Sequence, residues 1–122
     1  MSMQDAIASV FRNYATFNGR ARRSEFWYFA LFQVLVAVAT TLIDKALGGS
    51  IISLIGTIAL FLPGLAVSVR RLHDLDKTGW WYLIAFLPII GGLVLLFWFC
   101  GEGTNGDNRF GQDPKKAYAL AV

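Results

Sequence analysis

The densest run of chemically capable side chains is Arg70-Arg71-Leu72-His73-Asp74-Leu75-Asp76-Lys77. A second run, Arg20-Ala21-Arg22-Arg23-Ser24-Glu25, carries three more guanidinium groups and a carboxylate. Arginine forks bind the paired oxygens of a phosphate, so Arg20, Arg22, Arg23, Arg70 and Arg71, with Glu25, His73 and Asp74, form a candidate polar cluster for a phospholipid headgroup. His73 with Asp74 and Asp76 offers a metal or proton site, but one imidazole and two carboxylates in a short stretch are a sparse ligand set. The plainer reading is a basic interfacial turn that orients the chain. In it Arg70 and Asp74, four residues apart, pair if a helix continues through them, and the cations complement that helix's C-terminal end. No nucleophile stands beside a base and no glycine-rich phosphate loop follows a strand, so no catalytic residue, cofactor or metal is expected.

The elements that must position these residues are unusually apolar. Of the 122 residues 56% are hydrophobic and 16% charged, and the mean hydropathy is +0.53. No charge occurs in 26–43, 46–69 or 78–101, three runs of 18, 24 and 24 residues. A 24-residue helix is about 36 Å long, enough to cross a hydrocarbon core of about 30 Å. Three apolar helices in a soluble bundle would leave too little polar surface to cover them. The composition therefore predicts an all-α membrane protein, a single integral membrane domain with about three transmembrane helices over 26–43, 46–69 and 79–101 and a polar tail over 102–122. The lone cysteine, Cys100, excludes an intramolecular disulfide and is read as a packing residue.

Ahead of the first span, Met3, Ile7, Val10, Phe11, Tyr14 and Phe17 recur at helical spacing. They predict an N-terminal amphipathic interfacial helix over 3–17, begun by a capping box at Ser2. The same face would equally serve for packing on the protein's own bundle. Ser24 is placed to cap the first long helix, with Glu25 in its first turn. In the second run Gly49, Ser53, Gly56, Gly64 and Ser68 share one stripe, interrupted by Leu60, which suits close helix packing in lipid. Pro63 predicts a kink there. Pro88-Ile89-Ile90-Gly91-Gly92 admits two readings of the third run. One is a single kinked spanning helix; the other is a re-entrant hairpin that returns the tail to its side of origin.

Seven cations near the helix ends, Arg12, Arg20, Arg22, Arg23, Arg70, Arg71 and Lys77, oppose four, Lys45, Arg109, Lys115 and Lys116. With three spans, this count predicts a cytoplasmic N-terminus and a periplasmic tail. Ala37-Val38-Ala39 resembles a signal-peptide cleavage site, but the roughly 25 residues ahead of its apolar stretch contain Asp5 and Glu25, unlike a short basic leader, so cleavage is not expected.

Phe17-Asn18-Gly19-Arg20-Ala21-Arg22-Arg23-Ser24-Glu25-Phe26-Trp27, then Arg70-Arg71-Leu72-His73-Asp74 followed by Gly79-Trp80-Trp81, then Asn108-Arg109-Phe110-Gly111-Gln112-Asp113-Pro114, resemble the family numbered 805 among domains of unknown function. Three blocks in order cover nearly the whole chain. The resemblance implies a multi-pass bacterial inner (plasma) membrane protein with no established activity, and no catalytic residue to carry over. Uniting the three blocks in one site would require the re-entrant hairpin.

The expected function is non-enzymatic, through helix association or binding of anionic phospholipid in the bilayer. A homo-oligomer or an unknown protein partner is compatible with it, and nucleic acid is not expected. The alternative is a small transporter or channel subunit, although no charge lies well inside any apolar run.

Overall fold

The computed structural model describes residues 2–115. Its elements are helices α1 (Met3–Arg12), α2 (Arg23–Leu47) and α3 (Ile51–Asp74), a 3₁₀ helix (Gly79–Phe86) and α4 (Ile90–Cys100). The described residues contain no strand, only an isolated bridge between Asn108 and Gly111. Residues 116–122 of the expected tail, Lys116 among them, and Met1 lie outside the described residues.

The Ser2 hydroxyl accepts the Asp5 amide at 3.1 Å, the forward half of the capping box. The helix then stops at Arg12 instead of reaching Phe17, where Asn13 leaves the helical region at φ −108° and ψ 36° and its side-chain amide shares the Ser9 carbonyl at 2.8 Å with the last helical backbone bond. Ala6 and Val10 are buried, and Val10 packs with Ala21, Phe29 and Val67. Phe11 meets Phe29 and Phe32 edge-on at 5.9 and 6.0 Å. The apolar face of α1 thus lies on the bundle.

Pro63 sits inside the unbroken α3. Lacking an N–H, it leaves the carbonyl of Ala59, one turn earlier, without its helical donor. The Tyr14 hydroxyl donates to that carbonyl, so the turn after α1 repairs the gap made by Pro63. Ala59 is exposed, so a hydrogen bond of this kind contributes about 0.5–1.5 kcal/mol. Tyr14→Phe is expected to destabilise the protein by about that amount in detergent unfolding, and to be nearly neutral in a Pro63→Ala background. Equal losses in both backgrounds would show that Tyr14 acts only through its ring.

Among the described residues, helices α2 and α3, of 25 and 24 residues, are the two that are long and apolar enough to cross a membrane. Their outward faces expose Leu31, Val34, Val38 and Leu42 on one helix and Leu54, Ile55, Ile58 and Phe61 on the other. Their boundaries differ from the charge-free runs at 26–43 and 46–69. Helix α2 runs on through Asp44 and Lys45, and α3 begins five residues later and continues through Asp74. The reason at the first reversal is Asp44, whose carboxylate accepts the Ile52 and Ser53 amides and the Ser53 hydroxyl at 2.5–3.0 Å and so caps α3 from the preceding helix. At the start of α2 no side chain caps. The helix begins at Arg23, so Ser24 already lies within its first turn and its hydroxyl has no partner.

The small-residue stripe is divided. A Cβ on Gly56 would lie 3.5 Å from Thr40 and 3.7 Å from Val36, and one on Gly64 would press on the Gln33 amide, so both glycines face α2. Ser68 bonds its own helix through the Gly64 carbonyl, and Gly49 lies in the reversal with nothing near it. Gly56→Ala should therefore be tolerated, whereas Gly56→Leu should push α2 and α3 apart and lower the detergent melting temperature.

The third run departs from the single kinked helix expected over 79–101. The eight-residue 3₁₀ helix rises about 16 Å and the eleven-residue α4 also about 16 Å. Each is roughly half of a 30 Å core. Between them Ile89 holds φ 66° and ψ −58°, with the Ile90 amide donating to the Pro88 carbonyl at 2.7 Å. Such a γ-turn reverses the chain within three residues. Gly91 makes the return possible, since a Cβ there would overlap the Ile84 carbonyl. Leu95 and Phe99 of α4 then pack on Leu72 at the end of α3. Cys100 is exposed and does not pack as expected.

Candidate functional site

The hairpin delivers Gly101 and the following residues to the end of the bundle where α2 starts and α3 finishes. There the Thr104 amide donates to the Asp74 carbonyl at 2.7 Å. All three sequence blocks meet at this end.

Asp74 is the hub. Its Oδ1 accepts Arg20 Nε at 3.1 Å and Nη2 at 2.9 Å, and its Oδ2 accepts Arg71 Nη1 at 2.5 Å. The three side chains are at most 3% exposed, so no water screens the pairs. Burial on this scale is tolerated where most of the remaining donors are also satisfied, and here all but Arg71 Nε are. Arg20 Nη1 donates to the Gly106 and Gly111 carbonyls and Nη2 to that of Thr104, while Arg71 Nη2 reaches the Phe99 and Gly101 carbonyls. The free carbonyls at the C-terminal end of α4 take further donors. Trp27 Nε1 bonds Phe99 and Arg23 Nη1 bonds Cys100, both at 2.9 Å, which places cations where the helix dipole is negative. Gly103 lies directly on Asp74, and a Cβ there would overlap the carboxylate.

The expected Arg70–Asp74 pair does not form, although α3 does continue through both residues. Arg70 Nη1 instead holds Glu25 Oε2 at 2.7 Å in a separate buried pair, and its backbone carbonyl accepts the Ala21 amide. A helical i to i+4 spacing permits a contact, but here stronger acceptors and donors arrive from other elements.

His73 stacks flat on Phe110, with ring centroids 4.1 Å apart, and its Nδ1 lies 2.9 Å from the Gly19 carbonyl. A carbonyl only accepts, so Nδ1 carries the proton and the imidazole acts as a spacer between the Asn18-Gly19 loop and the tail. No three metal-ligating side chains gather among the described residues. Asn108 Nδ2 holds the His73 carbonyl at 2.9 Å, and Arg109 pairs with Asp76 at the exposed rim. In the tail the Gly106 amide, aided by that of Lys115, holds the Asp113 carboxyl below the usual carboxylate range. That contribution to the tail's fold is present at neutral pH and is lost as pH falls through the lowered pKa.

The predicted cluster therefore divides. Arg20, Arg71, His73 and Asp74 are internal ties that bind the tail to α3, and Arg23 sits at the rim. Arg22, Glu25 and Arg70 border a cleft of about 380 Å³ whose wall also includes Arg12, Asn13 and Asn18. Sequence reasoning left out Gly103 and Thr104, counted Arg12 only as a charge and held Trp27 only within the first motif block. Asn108 and Phe110 were visible only as part of the third motif block.

The family model described as a protein of unknown function (DUF805) matches residues 14–112, and the chain belongs to this family. It is 50% identical to the inner membrane protein YhaI of Escherichia coli (strain K12) over 109 residues, covering 88% of this chain and 92% of that protein. It is 44% identical over 117 residues to the inner membrane protein YhaH of the same organism, covering 91% and 97%. The uncharacterized protein YiiR of that strain is 27% identical over 124 residues, covering 80% and 85%. No solved structure matches the chain.

Proposed function

We propose that this DUF805 protein is a non-enzymatic, multi-pass protein of the bacterial inner membrane. In this reading it crosses twice, through α2 and α3, re-enters with the 3₁₀–α4 hairpin, and holds anionic phospholipid at an arginine-rich cytoplasmic cap. The names of YhaI and YhaH as inner membrane proteins support the membrane. The observation that carries the orientation is the distribution of charge. Arg12, Arg20, Arg22, Arg23, Arg70, Arg71, Lys77, Arg109 and Lys115 gather at the cap end, and Lys45 stands alone at the other. Once the tail folds back, the seven-to-four balance becomes nine to one among the described residues, and cations mark the cytoplasmic side. Each exposed cation near an anionic leaflet adds about 1 kcal/mol.

The cap's buried carboxylates, Glu25 and Asp74, are each gripped by a guanidinium, which favours a structural over a catalytic use. The transporter reading needs a polar path. Thr40, Thr57 and Ser68 instead bond carbonyls of their own helices. Association through the small-residue stripe is also less favoured, because Gly56 and Gly64 already meet α2 of the same chain.

The lipid reading is tested by native mass spectrometry of the detergent-purified protein. Phosphatidylglycerol should be retained in preference to phosphatidylethanolamine, with a preference that falls as salt rises. Equal retention of the two lipids would overturn it.

A further inference from the structure

We propose that the cleft beside Arg70 is a seat for a phosphate group, taken by the fork edge of the Arg70 guanidinium. Three buried arginines serve the cap, and they differ in what remains unsatisfied. Arg20 spends its Nε, Nη1 and Nη2 on protein acceptors, and Arg71 leaves only Nε. Arg70 is 4% exposed along its side chain and donates to Glu25 through Nη1 alone, leaving both Nε and Nη2 without a partner. These two nitrogens form one side of the planar guanidinium, with parallel N–H bonds that match two oxygens of a phosphate. A buried cation with its bidentate edge empty is incomplete without an acceptor.

The surroundings specify the charge of that acceptor. The cleft of about 380 Å³ against Arg70 is walled by Arg12, Arg20, Arg22, Asn18 and Glu25. Asp74 already neutralises Arg20. Arg12 and Arg70 then face the single carboxylate of Glu25, an excess of positive charge suited to a phosphate ester. The unpartnered nitrogens are themselves covered, so entry requires a wall side chain to swing aside, and Arg12 is exposed and long enough to do so. The cleft lies at the cationic end of the bundle, level with headgroup phosphates if α2 and α3 cross the bilayer. For its source of phosphate the seat rests on the anionic-lipid reading above, but a soluble phosphate ester presents the same chemistry.

The experiment uses the full chain in neutral detergent with two probes. Phosphatidylglycerol retention is followed by native mass spectrometry, and inorganic phosphate by thermal shift against chloride at equal ionic strength. Arg70→Lys keeps a cation for Glu25 and loses the fork, Arg12→Gln alters only the exposed wall, and Arg109→Gln removes an equal charge from the rim outside the cleft. Loss of one charge-assisted hydrogen bond weakens binding about ten- to a hundredfold. Arg70→Lys is expected to lose that much, and Arg12→Gln to weaken binding less but by more than Arg109→Gln, which forfeits only the diffuse attraction of one exposed charge. Should Arg70→Lys fail to fold, Arg12→Gln against Arg109→Gln decides.

A dependence on Arg70 and Arg12 seen with lipid supports the seat and the lipid reading together. The same dependence seen with phosphate alone supports the seat and overturns its lipid source. Phosphatidylglycerol bound equally by all variants overturns the seat and leaves a diffuse lipid attraction standing. No response to either probe overturns both.

Discussion

Asp74→Asn is expected to cost about 3–5 kcal/mol, since it removes the one carboxylate that neutralises two buried guanidinium groups, those of Arg20 and Arg71. Against a typical total stability of about 5–15 kcal/mol, that loss detaches the tail from α3 or unfolds the cap. The asparagine keeps the shape but turns one acceptor oxygen into a donor that faces a guanidinium, so charge and a hydrogen bond are lost together. Asp76→Asn removes a carboxylate two residues away from an exposed pair with Arg109 and should cost no more than about 1 kcal/mol. Gly103→Ala provides an independent route to the same defect, because its Cβ would occupy the space of the Asp74 carboxylate. Denaturant titration of the three variants in detergent checks the order. Similar small losses at positions 74 and 76 would mean that the Asp74 knot is open to water and contributes little.

Gly91→Ala is expected to open the hairpin. The added methyl group would coincide with the Ile84 carbonyl, backbone that cannot rotate away, so the 3₁₀ helix and α4 must separate. Overpacking of this kind costs about 3 kcal/mol. The consequence reaches the cap, because α4 brings the Phe99, Cys100 and Gly101 carbonyls to Trp27, Arg23 and Arg71. Protease cleavage between Gly101 and Asp113 should become fast in Gly91→Ala. Gly92→Ala, whose Cβ meets open space, should leave the tail protected and slightly favour the helix. Equal protection in both variants would show that the two limbs do not lie in contact.

The long helices were legible because charge avoids the interior of α2 and α3, and the capping box at Ser2 was legible because it is local. The hairpin was harder. Pro88 and the glycines after it suit a kinked helix as well as a reversal, and what decides between them is the approach of Gly91 to Ile84, a tertiary contact with no separate mark in composition. Partner choice in the charged cluster was hidden for the same reason. Arg70 and Asp74 have helical spacing, yet Glu25 from α2 and Arg20 from the preceding loop outcompete it. Gly103 sat in a turn-rich stretch where glycine needs no special explanation. Two signals agree with the folded-back tail: three motif blocks that would form one site only if the third run turns back, and Lys45 as the sole cation near the far reversal. The seven-to-four count obscured the second, because a tail drawn on the opposite side carried its cations there.

The account stands on the N-terminal segment and the tail sharing one side of the membrane. Dual reporters that are active only in the cytoplasm or only in the periplasm, fused in turn to either end of the full chain in living cells, measure this directly. The result predicted is cytoplasmic activity at both ends. A cytoplasmic N-terminus with a periplasmic C-terminus would restore a third crossing over residues 79–101 and contradict the assembly of the cap around Asp74.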